Sequence, residues 1–105
     1  MTIFHAENGM RPIHPGEHLR EDFLIPLGMN AATLAAALHL PAPFINDIVR
    51  ERRAVTPEAA LRLGKYFRTS PQYWLNWQNA YDLRLAQVKE ADALAAIVPC
   101  PAIPA

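Results

Sequence analysis

Proline placement constrains this chain more than any other feature. Ten of its 105 residues are proline, and several stand where a helix opens. Thr56–Pro57 and Ser70–Pro71 each pair a capping hydroxyl with a ring at the first helical position. A missing N–H costs nothing there, because that group has no helical partner. Pro15 opens "HPGEHLREDFL", which is expected to end before Pro26 and Gly28, and Asn30 caps "NAATLAAALHL". Behind these starts, apolar residues recur three and four apart: Leu19 and Phe23, Leu34 and Leu38, Ala60 through Phe67, and Trp74, Trp77, Tyr81, Leu85 and Val88. No stretch alternates with period two for long enough to be a strand. The expected fold class is therefore all-α, with five helices at about 15–25, 30–38, 42–50, 57–68 and 71–96. The last is a long C-terminal helix with an alanine-rich end expected to fray, and the three prolines of "VPCPAIPA" cannot continue it.

Around this frame the expected organisation is a flexible arm over 1–13, one helical domain over 14–98 and a Pro-rich tail over 99–105. The 51% hydrophobic content suffices for a single core. No apolar run reaches the roughly 18 residues of a membrane span, and "MTIFHAENGMRPIHPGEH" lacks the pattern of a secretory signal. Cys100 is the single cysteine, which rules out an intramolecular disulfide and a multi-cysteine metal site. A cytoplasmic protein is the expectation.

Formal net charge is zero, but it is unevenly spread. Residues 1–40 carry minus two and residues 69–105 minus one. Residues 41–68 carry plus three, from Arg50, Arg52, Arg53, Arg62, Lys65 and Arg68 against Asp47, Glu51 and Glu58. This basic third contains the connection "HLP" (39–41), short enough to force the sharp bend of a helix-turn-helix. The helix beyond it opens at Ala42 or Pro43. If Ile45, Ile48 and Val49 face the core, Pro43, Asp47 and Arg50 point outward with Phe44 and Asn46 at the flanks. Such a face can read DNA bases: Asn46 pairing with adenine, Arg50 with guanine, Asp47 accepting from cytosine, and Pro43 and Phe44 against a thymine methyl. Arg50, Arg52 and Arg53 then supply phosphate contacts. The plainer alternatives are a solvated helix end for the arginines and a core position for Phe44.

"HPGEH" (14–18) matches the H-x-x-E-H pattern of some zinc proteases. Pro15 and Gly16 place His14 at or before the helix start, so the ligand face is incomplete, and no third ligand is evident. Chance explains the match. His5 and His39 read as exposed polar residues. Trp74 and Trp77 read as core, while Leu85 and Val88 have little left to pack on in a domain this small. With Tyr81, they are the candidate dimer contact.

"HPGEHLREDFLIPLGM" (14–29) and "INDIVRERRAVTPEAALRLGKYFRTSPQYWLNWQNAYDL" (45–83), with the alanine-leucine helix between them, resemble the HigA-type antitoxins. These proteins, also called plasmid-maintenance antidote or VapI-like proteins, are a branch of the Xre/Cro-like helix-turn-helix group. The resemblance covers about two-thirds of the chain. It implies a five-helix Xre/lambda-repressor-like domain that forms a homodimer and represses its own operon by binding double-stranded operator DNA. It also implies neutralisation of a RelE-like mRNA endonuclease toxin. The DNA-binding positions it points to are Asn30, Thr33, Ala42, Pro43, Phe44, Asn46, Asp47, Arg50, Arg52 and Arg53. The chain departs from the family where it reads DNA. Asn30–Ala31 stands for Ser-Gln, His39–Leu40 for Gly-Val, Phe44 for an arginine and Glu51–Arg52–Arg53 for Gly-Lys-Arg. No enzymatic activity, cofactor, metal, membrane or small-molecule substrate is expected. The alternatives are a plain Xre-type repressor without a toxin, and a helical protein-binding module that has lost DNA binding. A metal hydrolase ranks below both.

Overall fold

The computed structural model describes residues 11–104, and every regular element among them is helical. Six helices follow one another. We call them α1 (15–27), α2 (Ala31–Leu38), α3 (Ala42–Val49), α4 (Pro57–Phe67), α5 (Pro71–Lys89) and α6 (Ala91–Ala96). The flexible arm expected over 1–13 lies outside the described residues except for its last three, of which Arg11 forms a two-pronged pair with Glu17 at 2.7 and 2.8 Å.

The capping chemistry legible in the sequence is present. Asn30 Oδ1 accepts from the Thr33 N–H at 2.8 Å, Thr56 Oγ1 from Ala59 at 3.2 Å and Ser70 Oγ from Tyr73 at 3.1 Å. Each such cap stabilises its helix by about 1 kcal/mol. Pro57 and Pro71 occupy first-turn positions.

Two expected boundaries shift. α1 does not stop before Pro26. It starts as an α-helix over Pro15–Leu19, widens into a π-turn over Arg20–Leu24 and closes as Ile25–Leu27. The Ile25 N–H reaches back five residues to the Arg20 carbonyl. A π-turn absorbs an extra residue, here immediately before a proline with no N–H to give. Gly28, left-handed at φ 65°, ends the helix instead. At the other end, the single helix expected over 71–96 breaks at Glu90, whose φ of −97° and ψ of 11° leave the helical range and separate α5 from α6. Residues 85–104 are all exposed, so no packing holds the run straight.

The core joins Leu19 and Leu24 of α1, Leu34, Ala35 and Leu38 of α2, and Ile45 and Ile48 of α3. Val55, Ala59, Ala60, Leu63 and Trp74 complete it. α2 packs on α3, α4 on α5, and α1 bridges α3 and α5. The bridge is close because Gly16 has no side chain: a Cβ there would lie 1.8 Å from the Ile48 carbonyl oxygen. The loop after α3 is fixed by the buried Gln78, whose Oε1 accepts from the Val55 N–H at 2.7 Å while its Nε2 donates to Asp82 at 3.0 Å.

Candidate nucleic-acid interface

The bend between α2 and α3 is built on a left-handed His39, φ 58°. A non-glycine residue in that region costs roughly 1–2 kcal/mol. Two sets of hydrogen bonds offset it. The Leu40 N–H returns to the Ala35 carbonyl at 3.0 Å and the His39 N–H to Ala36 at 3.2 Å, closing the end of α2. Arg62 of α4 then donates from one nitrogen to the carbonyls of both Leu38 and His39, at 2.9 Å each, while its other nitrogen pairs with Glu58. Pro41 caps α3, and its carbonyl accepts from Phe44 and Ile45. The helix starts at Ala42, with no slip to Pro43, because the ring lies in a first turn that needs no N–H from it.

Within α3, Ile45 and Ile48 are completely buried and Val49 half-buried. Pro43, Asn46 and Arg50, at spacings of three and four, form an exposed row. Asp47 is half-buried beside that row, and Ala42 is exposed. Phe44 is half-buried against the core, so only part of its ring faces outward. At the start of α2, Asn30 and Thr33 are exposed, with Asn30 Oδ1 spent on its cap and its amide NH₂ free of that bond.

α3 ends in a second left-handed residue, Glu51 at φ 64°. The Arg52 N–H returns to the Asp47 carbonyl at 2.8 Å, which turns the chain and places Arg52 and Arg53 directly behind the helix. Arg20 of α1 clamps this end, donating to the Val49 carbonyl and pairing with Glu51 at 3.3 Å. The arginines are not equivalent. Among the described residues Arg50 and Arg52 take part in no ion pair, whereas Arg53 lies 3.6 Å from Asp47 and 4.6 Å from the centre of the Phe44 ring. The surface thus offers an apolar and an amide group in a row with a half-buried carboxylate beside it, and two guanidinium groups outside any ion pair at its end.

The remaining site residues lie elsewhere. Tyr81 meets His14 edge-on at 4.8 Å, an intrachain contact, while Leu85 and Val88 are exposed along with Leu83, Leu94 and Ile97. Sequence reasoning missed the roles of Arg20 and Arg62, which carry no local signature beyond the i,i+4 spacing of Glu58 and Arg62. It also missed both histidines of "HPGEH". His14 is the N-cap of α1, its Nδ1 accepting from the Gly16 N–H at 2.8 Å. His18 is buried, stacked on Trp77 with centroids 4.1 Å apart, its Nδ1 2.7 Å from Asp22 and its Nε2 against the Tyr73 hydroxyl. A carboxylate only accepts, so Nδ1 of His18 carries the proton and Nε2 accepts from Tyr73. Among the described residues no group of three His, Cys, Asp or Glu side chains is placed to hold a metal, and no helix is long and apolar enough to cross a membrane.

Burial pushes the pKa of His14 and of His18 below the ordinary 6.5, against the opposing pull of Glu51 and Asp82 on His14 and of Asp22 on His18. The unfolded chain therefore binds protons in a range where the folded one does not. Stability is fully present above pH 6.5 and falls as the pH drops below it, by up to about 1.4 kcal/mol per pH unit for each histidine. Urea denaturation between pH 7.5 and pH 5 (a range chosen to span roughly 6.5) is expected to show this slope. His14→Asn, which keeps a capping acceptor but cannot titrate, is expected to reduce it. A flat profile contradicts the assignment of neutral, buried rings.

No protein-family model matches the chain. Over 99 residues it is 48% identical to virulence-associated protein I of Dichelobacter nodosus, the match spanning 94% of this chain and 91% of that one. The solved structure of PA4674 of Pseudomonas aeruginosa in complex with its 18-bp operator DNA superposes with a TM-score of 0.85 at 47% identity, covering 90% of this chain and 100% of that one. The P. aeruginosa antitoxin HigA with the higBA promoter gives a TM-score of 0.81 at 44% identity, covering 89% and 100%. A helix-turn-helix in an all-helical frame and identities at this level over nearly the whole length lead to one assignment: the chain belongs to the HigA-type antitoxin family of Xre-like helix-turn-helix regulators.

Proposed function

We propose that this protein is the antitoxin of a type II toxin–antitoxin system, that it binds operator DNA as a homodimer to repress its own operon, and that it neutralises a RelE-like mRNA endonuclease. The observation that carries the DNA-binding part is the exposed row Pro43, Asn46 and Arg50 with Arg52 behind it, on a helix held by Arg62 at the bend before it and by Arg20 at its C-terminal end. In this reading α3 enters the major groove. Asn46 reads a base, Arg50 and Arg52 neutralise backbone charge, and Asn30 and Thr33 approach the backbone from the start of α2. The exposed apolar residues Leu85 and Val88 of α5 form the dimer contact, with Tyr81 at its edge. Two copies of α3 then lie about 34 Å apart on a near-palindromic site. Toxin neutralisation is binding, not catalysis.

Binding to the promoter upstream of the protein's own reading frame tests this. Arg52→Ala is expected to weaken promoter and unrelated DNA by the same factor. Asn46→Ala is expected to weaken the promoter alone, by roughly 5- to 100-fold, the range of one good base contact. If neither change alters binding, the protein-binding module takes its place. For the toxin, co-expression with the product of the neighbouring reading frame is expected to relieve growth arrest. A neighbour whose expression is harmless leaves only the repressor.

A further inference from the structure

The three arginines that follow the bases-facing helix invite a single role as phosphate grips, yet one of them is held differently. Arg53 is folded back over α3: its guanidinium lies over the Phe44 ring at 4.6 Å and beside the Asp47 carboxylate at 3.6 Å. The geometry points to Arg53 as a positioning residue for sequence choice, one that holds Asp47 as a base-reading acceptor and does not itself grip a phosphate. This inference rests on the DNA-binding reading above.

Asp47 stands next to Asn46 at the edge of the exposed row. A bare carboxylate there faces polyanionic DNA and repels it. Arg53 cancels that charge. The separation of 3.6 Å is too long for a hydrogen bond, so the pairing is electrostatic and leaves the carboxylate lone pairs available. A carboxylate so neutralised can accept from a cytosine amino group in the major groove. The Phe44 ring defines where the guanidinium rests, because a flat cation settles over an aromatic face. Phe44 is itself half-buried against the core, so the arrangement Phe44–Arg53–Asp47 is anchored to the fold. Arg52, three residues past the helix end and in no ion pair among the described residues, has no such constraint and serves as the contrasting case.

The test is a double-mutant cycle on promoter binding with Arg53→Ala and Asp47→Asn, read on the promoter, on its single-base variants and on unrelated DNA across a salt series. Wild-type protein is expected to discriminate one cytosine on the order of tenfold. Arg53→Ala is expected to abolish that discrimination, and the repulsion it exposes at Asp47 is expected to weaken unrelated DNA only while residue 47 is charged. In the Asp47→Asn background, where the discrimination is already gone, Arg53→Ala is expected to add nothing. Arg53→Lys retains the charge without the flat group that rests on Phe44; it is expected to restore affinity and only part of the discrimination. If Arg53→Ala instead acts like Arg52→Ala, weakening every sequence alike, flattening the salt slope and adding to Asp47→Asn, the inference is overturned while DNA binding stands. A wild-type protein that ignores promoter DNA overturns both.

Discussion

Gly16→Ala is expected to destabilise the domain by about 3 kcal/mol, the upper part of the usual range for an overpacked site. Helix propensity alone makes the opposite prediction, because alanine is favoured over glycine within a helix by roughly 1 kcal/mol. The steric effect wins because the new methyl has nowhere to go. It would fall 1.8 Å from the Ile48 carbonyl oxygen and 2.8 Å from the Ile48 carbonyl carbon, both backbone atoms, with the His14 ring at 3.0 Å. No rotamer change relieves that. α1 must move off the end of α3, and with it goes the clamp of Arg20 on Val49 and Glu51. Loss of DNA affinity is therefore expected to accompany the loss of stability. In a domain of this size the melting temperature falls roughly 4–8 °C for each kcal/mol. Gly28→Ala is the control. Gly28 is left-handed but has nothing within 4 Å of an added Cβ, so only the backbone term of about 1–2 kcal/mol applies. A Gly16→Ala protein that melts at or above the wild-type temperature refutes the close packing of α1 on α3.

Trp74→Ala is expected to cost about 3–5 kcal/mol, a large part of the roughly 5–15 kcal/mol that stabilises a typical domain. Trp74 is fully buried where α1, α4 and α5 meet, with the rings of Phe23, Tyr73 and Phe67 at 5.1, 5.3 and 6.2 Å. Its indole N–H donates to Thr69 Oγ1 at 2.8 Å. Trp74→Phe keeps most of the packing and loses that bond, so it separates the two contributions and is expected to cost less. Urea titration followed by the fluorescence of Trp77 measures both. A midpoint shift for Trp74→Ala equivalent to less than about 1 kcal/mol contradicts the placement of this ring at the centre of the fold.

What the sequence revealed and what it withheld divide along physical lines. Asn30, Thr56 and Ser70 were legible because a capping bond reaches only three residues along the chain. The outward position of Pro43 and Arg50 was legible because the burial of Ile45 and Ile48 dictates the opposite face of so short a helix, but Asn46 stands in the exposed row where Asp47 was expected, and Asp47 is half-buried at its flank. Arg20 and Arg62 were not. Their partners Val49 and Leu38 lie 29 and 24 residues away, and nothing local distinguishes a clamp from a solvated cation. Arg53 was not legible for another reason: its partners Asp47 and Phe44 lie close in sequence, but it reaches them only through the left-handed turn at Glu51. "HPGEH" was visible as a pattern but its purpose was not, since it depends on α5 supplying Tyr73, Trp77 and Tyr81 around the two rings. Pro26 misled because the π-turn before it is a property of the packed helix, and Glu90 interrupts a run whose periodicity continues across it.

The salt dependence of promoter binding tests the central claim most directly. If Arg50 and Arg52 from each of two subunits neutralise phosphates, the logarithm of the association constant falls linearly with the logarithm of salt concentration. The slope is expected to be roughly −3.6, that is about −0.9 for each of four phosphates. The double variant Arg50→Ala/Arg52→Ala is expected to remove most of that slope with the fold intact by circular dichroism. Salt-independent association, or a double variant whose slope and affinity match those of the wild type, contradicts the assignment of α3 and its arginines as the DNA-binding surface.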